Sequence, residues 1–159
     1  LSVCCSLGLL TEEQLKTLWI EASKNPFERV AKGGVYYKIT EYGNIDDYTE
    51  DGDYTDQNLY DSVNYFNDDS VAQQVALHQL LYRKLLKFAY DNGFEDTAEW
   101  DGFNKHWTII YHYENNMVTI DYMRAVKNYG VYFSSVDGAK RAINEVIEPF
   151  MKEHPDFVW

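Results

Sequence analysis

The chain is poor in cysteine and in basic residues, and it lacks any long apolar run. Its two cysteines, Cys4 and Cys5, are adjacent. Neighbouring cysteines rarely bridge each other, so a disulfide framework is excluded and a reducing cytosol is the expected compartment. No stretch reaches the roughly 20 apolar residues of a membrane span. Lys and Arg number 14 against 26 Asp and Glu, a formal charge of -12. Nucleic-acid affinity rests on cations that meet phosphates, so a DNA- or RNA-binder of the usual kind is not expected. Anionic membrane surfaces repel such a chain as well. The opening LSVCCSLGLL has no basic region and no small-residue cleavage site, which argues against a signal peptide. Residues 1–10 are set aside as an uncertain segment.

Several catalytic signatures are missing too. There is no Gly-x-Ser-x-Gly elbow, Walker loop or dinucleotide fingerprint. The four histidines are His78, His106, His112 and His154. His106 and His112 fall on one strand face but six residues apart, roughly 20 Å, too far to share an ion. No His-Cys cluster exists, so zinc is not expected. Asp47, Asp51 and Asp53 can be laid on an EF-hand template with Gly52 at its sixth position. Thr49 then falls at position 3 and Asn58 at position 12, where a bidentate Glu is required. No cofactor is expected and the chain does not read as an enzyme.

What the chain does hold is tyrosine and acid. Aromatics make up 16% of it, and 14 residues are Tyr. At 159 residues it suffices for one domain, and its aromatic content separates it from disordered acidic chains. Thr11 with Gln14 forms a capping box ahead of Leu15, Leu18, Trp19 and Ala22, a short helix stopped by Asn25-Pro26. Val35 to Thr40 reads as a strand, Tyr42-Gly43-Asn44 as a turn, and Ile45 as the start of a return strand. Residues 46–58 read as an acidic loop or ragged edge. Tyr65-Phe66 ends a third strand. A long helix follows, capped by Asn67, Asp68 or Asp69 and stopped by Asn92-Gly93. Beyond a polar connector, Trp107–Tyr113 and Met117–Tyr122 form a hairpin about Asn115-Asn116. Gly130–Phe133 is another strand, and Ser134 caps a last helix that Pro149 interrupts near its end.

The halves repeat. Tyr65-Phe66 with Ala72 and Ala76 parallels Tyr132-Phe133 with Ala139 and Ile143 at a constant offset of 67 residues. An aromatic strand end packs under the first turn of the next helix, and small alanines let that helix lie close. The alternative is that two strand-to-helix junctions share a common local solution. The expected fold is α+β: two βββα-like halves, about 33–92 and 104–151, with antiparallel strands on two main helices. A short N-terminal helix is added, all in a single domain over 11–159.

The charge is local. From Ile39 through Tyr82, 44 residues contain no Lys or Arg and ten acids, and outside them the net is only -2. Tyr48, Tyr54 and Tyr60 interleave with these acids. Such a segment suits a positively charged partner surface, which it would find quickly, with Tyr supplying contact area at low entropic cost. The candidate partner-binding residues are Glu41, Asp46, Asp47, Tyr48, Glu50, Asp51, Asp53, Tyr54, Asp56, Tyr60 and Asp61. The plain alternative is a solvated, solubilising loop.

The motifs GxxYYxI over Gly33–Ile39, YGxI over Tyr42–Ile45, NYF-x5-A over Asn64–Ala72, WxIxYxYExN over Trp107–Asn116 and GVYFSS over Gly130–Ser135 carry a resemblance. The chain resembles a family of small acidic proteins encoded by phages, prophages and mobile elements, over about residues 33–146. It departs from that pattern at Asp68-Asp69 and Val136-Asp137, where Glu pairs are usual. The resemblance implies a phage accessory product acting in the cytoplasm of a bacterial host. That class includes inhibitors of host defence, among them anti-CRISPR proteins that block Cas nucleases. A homo-oligomeric phage assembly protein and a small metal-dependent hydrolase are the alternatives.

Overall fold

The computed structural model describes residues 25–159. The N-terminal helix predicted over Thr11–Ala22 and the Cys4-Cys5 pair lie outside the described residues. The fold is α+β. The chain divides into two compact units, residues 1–72 and 73–159, and the boundary falls in the first turn of a long helix.

Unit 1 starts from a hairpin. Strands β1 (Val35–Ile39) and β2 (Ile45–Thr49) pair antiparallel, with Tyr36 opposite Tyr48 and Ile39 opposite Ile45. Gly43 turns the chain at φ 86°, a conformation that glycine adopts without steric cost. Residues 46–58 are more ordered than an acidic loop: β2 runs through Thr49, and a helix, α1 (Tyr54–Asp61), follows. Asp53 caps α1 by accepting from the Asp56 amide, and the Asp56 carboxylate accepts in turn from the Asp53 amide. The helix ends in a left-handed turn at Val63, φ 59°, where the Asn64 amide reaches back to the Leu59 carbonyl at 2.9 Å. Val63 is β-branched, so this position is strained. The Asn64 side chain then pairs with both backbone groups of Ile39, each at 2.8 Å. The expected third strand is a single bridge, in which Phe66 and Tyr37 exchange two backbone hydrogen bonds.

Asp68 accepts from the Val71 amide and starts α2 (Asp69–Asp91), 23 residues and about 35 Å long. Gly93, φ 64°, ends it as its sequence implies. Lys87 and Asp91 pair in its last turn.

Unit 2 holds β3 (His106–His112), β4 (Met117–Met123) and the short β5 (Tyr132–Phe133), in the order β4-β3-β5. Asn116 supplies the positive φ of the hairpin turn, as expected of an Asn-Asn pair. Each Tyr-Phe element pairs antiparallel with the first strand of its own hairpin: Phe66 on β1, Tyr132-Phe133 on β3. Ala72 and Ala139 are fully buried one turn on. The halves therefore share this junction. They differ in that α1 stands between hairpin and bridge in unit 1, so the predicted βββα order does not describe it.

The last helix is capped by Ser135, one residue later than predicted, through the Gly138 amide. Helix α3 (Val136–Ala142) passes into a π-helical turn, Ile143–Ile147, and then α4 (Glu148–Glu153). Pro149 explains the turn: it has no N–H, and its ring crowds the carbonyl four residues back, so the ladder widens there. Gly138 is required for packing, since a Cβ there would sit 2.9 Å from the Phe94 ring. The core of unit 2 joins Leu81, Leu85 and Ala89 to Phe133, Ala142, Ile147 and Phe150. His78 flanks this core, its ring 4.8 Å from Phe157.

Candidate functional site

Strand alternation sorts the acidic segment. Asp46 and Tyr48 share one hairpin face with Tyr36 and Lys38, while Asp47 lies on the other face opposite Tyr37. The candidate residues are therefore not on one surface. Tyr48 stacks on Tyr36 at 5.9 Å, and the Lys38 ammonium sits 4.4 Å over the Tyr48 ring. Glu41 is exposed on the hairpin turn, and Asp51, Asp53 and Tyr54 are exposed around the start of α1. Asp61 accepts from the Gln57 amide one turn back. Tyr60 packs edge-on against Tyr65 at 5.5 Å, with the Arg29 guanidinium 5.5 Å from the centre of the Tyr60 ring.

Two predicted site residues are not at the surface. Glu50 is 3% exposed and Asp56 is 4% exposed. Glu50 takes a two-pronged contact from Arg29, Nε and Nη2 each at 2.9 Å, and accepts from the Tyr65 hydroxyl at 2.8 Å and the Gly52 amide. Asp56 accepts from the Tyr36 hydroxyl at 2.7 Å and from the amides of Asp51, Gly52 and Asp53. Tyr36 and Tyr65 stack between them at 4.0 Å. A buried carboxylate is tolerated only when its lone pairs are filled, and both of these are. Glu50 and Asp56 thus hold unit 1 together and have no oxygen to offer a partner.

The same contacts set their acidity. The Tyr36 hydrogen bond, helped by three backbone amides, pulls Asp56 down to about 2 against the opposing effect of burial. The Arg29 hydrogen bonds lower Glu50. Burial, then the bond to Glu50, pushes Tyr65 up to about 12, and burial with Asp56 raises Tyr36.

The sequence does not single out Arg29, and it presents Tyr36 and Tyr65 as strand residues rather than as partners of the buried acids. The one visible signal is Arg29 itself, the only Arg among the first 82 residues and set in an acid-rich half. The EF-hand template is not formed: Thr49 is in β2 and Asp53 caps a helix. Among the described residues no group of three His, Cys, Asp or Glu side chains is placed to hold a metal ion. No helix among them is long and apolar enough to cross a membrane.

Among the described residues, the predicted site residues left exposed are Glu41, Asp46, Asp47, Asp51, Asp53 and Asp61 with Tyr48, Tyr54 and Tyr60. None of these six carboxylates forms an ion pair among the described residues. The arrangement can attract cations and offer ring surface; it presents no nucleophile and base in contact.

Unit 2 contains a second polar cluster that sequence did not reveal. His106 is fully buried, stacked on Trp100 at 3.6 Å and nearly parallel to it, and its Nδ1 meets Asp96 at 2.5 Å.

Comparison of the chain with protein-family models, with curated proteins and with solved structures finds no match.

Proposed function

We propose that the protein is a non-enzymatic, phage-derived inhibitor that binds a host protein through the exposed acids and tyrosines of unit 1. The target we infer is an enzyme with a basic, nucleic-acid-handling surface, a Cas nuclease being the specific case. One observation carries this reading: six exposed carboxylates that form no ion pair among the described residues stand on a hairpin and helix fixed by two further, fully satisfied carboxylates. Their mutual repulsion opposes folding, and a basic partner surface relieves it while speeding association. The resemblance to small acidic phage and prophage proteins supplies the phage origin.

The test is titration of a purified Cas nuclease with the protein at rising salt. The affinity should fall steeply with ionic strength. The triple variant Asp46→Asn, Asp47→Asn, Asp51→Asn leaves Glu50, Asp56 and the Asp53 cap in place, and it should keep its melting temperature while losing binding at least tenfold. Salt-independent binding, or full binding by the triple variant, overturns the electrostatic reading.

A phage assembly role as a homo-oligomer is the second reading. It is favoured by β4, a seven-residue edge strand, MVTIDYM, with one charged residue to guard it. Sizing chromatography separates the two, since an assembly protein elutes as a defined oligomer without any partner.

A further inference from the structure

Strand β3 is paired along one edge and mostly open along the other. β4 meets all seven of its residues, whereas β5 reaches only Trp107 and Thr108. Ahead of β5 the chain leaves the sheet for α2, where Tyr129 stacks on Tyr82 at 5.1 Å. The Ser134 amide donates to the Phe94 carbonyl at 2.9 Å, across the bridge between Phe133 and Glu95, so the N–H and C=O of Phe133 itself face β3. Strand alternation then turns the backbone groups of Trp107, Ile109 and Tyr111 to the β5 side. Among the described residues no backbone hydrogen bond reaches Ile109 or Tyr111 from that side.

A groove of about 540 Å³ adjoins this edge. Both Ile109 and Ile110 line it. Their side chains point to opposite faces of the sheet, so a cavity that touches both meets the strand at its edge. Leu81 and Leu85 of α2, with Val131 and Phe157, supply a buried apolar lining. No lining residue is Asp, Glu, Lys or Arg, in a chain that is 25% charged. A small apolar molecule would fill such a groove and leave the donors and acceptors of Ile109 and Tyr111 unmet. A second backbone meets them, and its alternate side chains fill the groove. A second copy of the chain suits the site less well, because its own free edge, β4, carries Asp121 toward an uncharged lining.

We propose that the open edge of β3 takes an extended segment of a partner polypeptide as an added strand. The partner's backbone pairs with Ile109 and Tyr111, and its alternate side chains, apolar and uncharged, enter the groove against Leu81 and Phe157. The site lies in the other unit from the acidic surface of the proposed function and does not depend on it.

The experiment is selection of a random peptide library, displayed on phage, against the full chain, followed by NMR with the enriched peptide made synthetically. Enriched sequences should carry apolar residues at every second position and no charge at those positions. Bound peptide should slow amide exchange at Ile109 and Tyr111 by roughly tenfold or more. N-methylation of the peptide amides that face β3 should weaken binding by roughly tenfold, and N-methylation of the intervening amides much less. His78 is an exposed lining residue on α2. His78→Glu puts a charge on the groove wall and should weaken binding several-fold at an unchanged melting temperature. Failure to enrich such sequences, protection along β4 instead of at Ile109 and Tyr111, equal binding by the two methylated peptides, or full binding by the His78→Glu variant overturns the proposal. Protection of Ile109 and Tyr111 that rises with protein concentration in the absence of peptide makes a second copy the occupant and overturns it as well.

Discussion

The two units solve burial in opposite ways. Residues 1–72 carry 14 acids and 5 bases, a net of -9, while residues 73–159 carry 12 and 9, a net of -3. Unit 2 has the apolar residues to build an ordinary core, and Leu81, Leu85, Phe133, Ile147 and Phe150 do so. Among the largest fully buried side chains, unit 1 contributes Tyr36, Tyr65 and Phe66. Two of these three carry hydroxyls, and the hydroxyls are met by Glu50 and Asp56. The described residues of unit 1, 25–72, include only seven Leu, Ile and Val, and they close a centre by giving each buried acid several donors. The consequence is that unit 1 is set by hydrogen-bond geometry and unit 2 by packing volume.

That contrast can be broken from either side. Phe133→Ala should have the largest effect, about 3–4 kcal/mol, because it empties a fully buried site. Urea unfolding measures the loss, and amide exchange should place it in unit 2. Glu50→Gln comes next, at about 2 kcal/mol, discounted because Arg29 remains partly solvated once unpaired. Its exchange losses should concentrate at residues 29–36 and 50–56; an even spread over the chain would contradict the division.

Acid should separate the units without mutation. Asp56 and Glu50 are both lower in the folded state than in the unfolded chain. Their contribution is complete above the ordinary carboxylate range and is lost as pH falls from about 4.5 toward 2. Tyrosine signals of unit 1 should broaden over that window before those of Phe133 and Phe150 change. The smallest effect is a gain. Val63→Gly should stabilise by about 0.5–1 kcal/mol in thermal melts, since glycine occupies φ 59° without strain.

The long helix, both hairpins and the Tyr-Phe junctions were legible because each rests on local chemistry: a cap, a turn asparagine, a glycine stop, an alternating strand. Helix α1 was not. YTDQNLYD has no apolar period, and its capping box uses Asp56 where Glu or Gln is usual. The Ser135 cap was missed by one residue because Ser134 offers the same hydroxyl. The acidic segment was legible as a charge fact, yet which of its acids face water was not. Charged residues are exposed by default, and the exceptions are decided by donors from afar: Arg29 lies 21 residues from Glu50 and Tyr36 lies 20 from Asp56. The Asp96–His106 pair was hidden for the same reason.

The amide of Asn64 has a further consequence. With Phe66 at Tyr37 and Asn64 at Ile39, two successive outward positions of β1 are already occupied, one by a neighbouring segment and the next by a side chain. A foreign strand therefore finds no continuous template on that side. The opposite border of the hairpin, β2, presents Asp46 and Asp47, and a second copy arriving there brings the same charges against them. In unit 1 the features that attract a basic partner are thus also the ones that keep identical chains from zipping together.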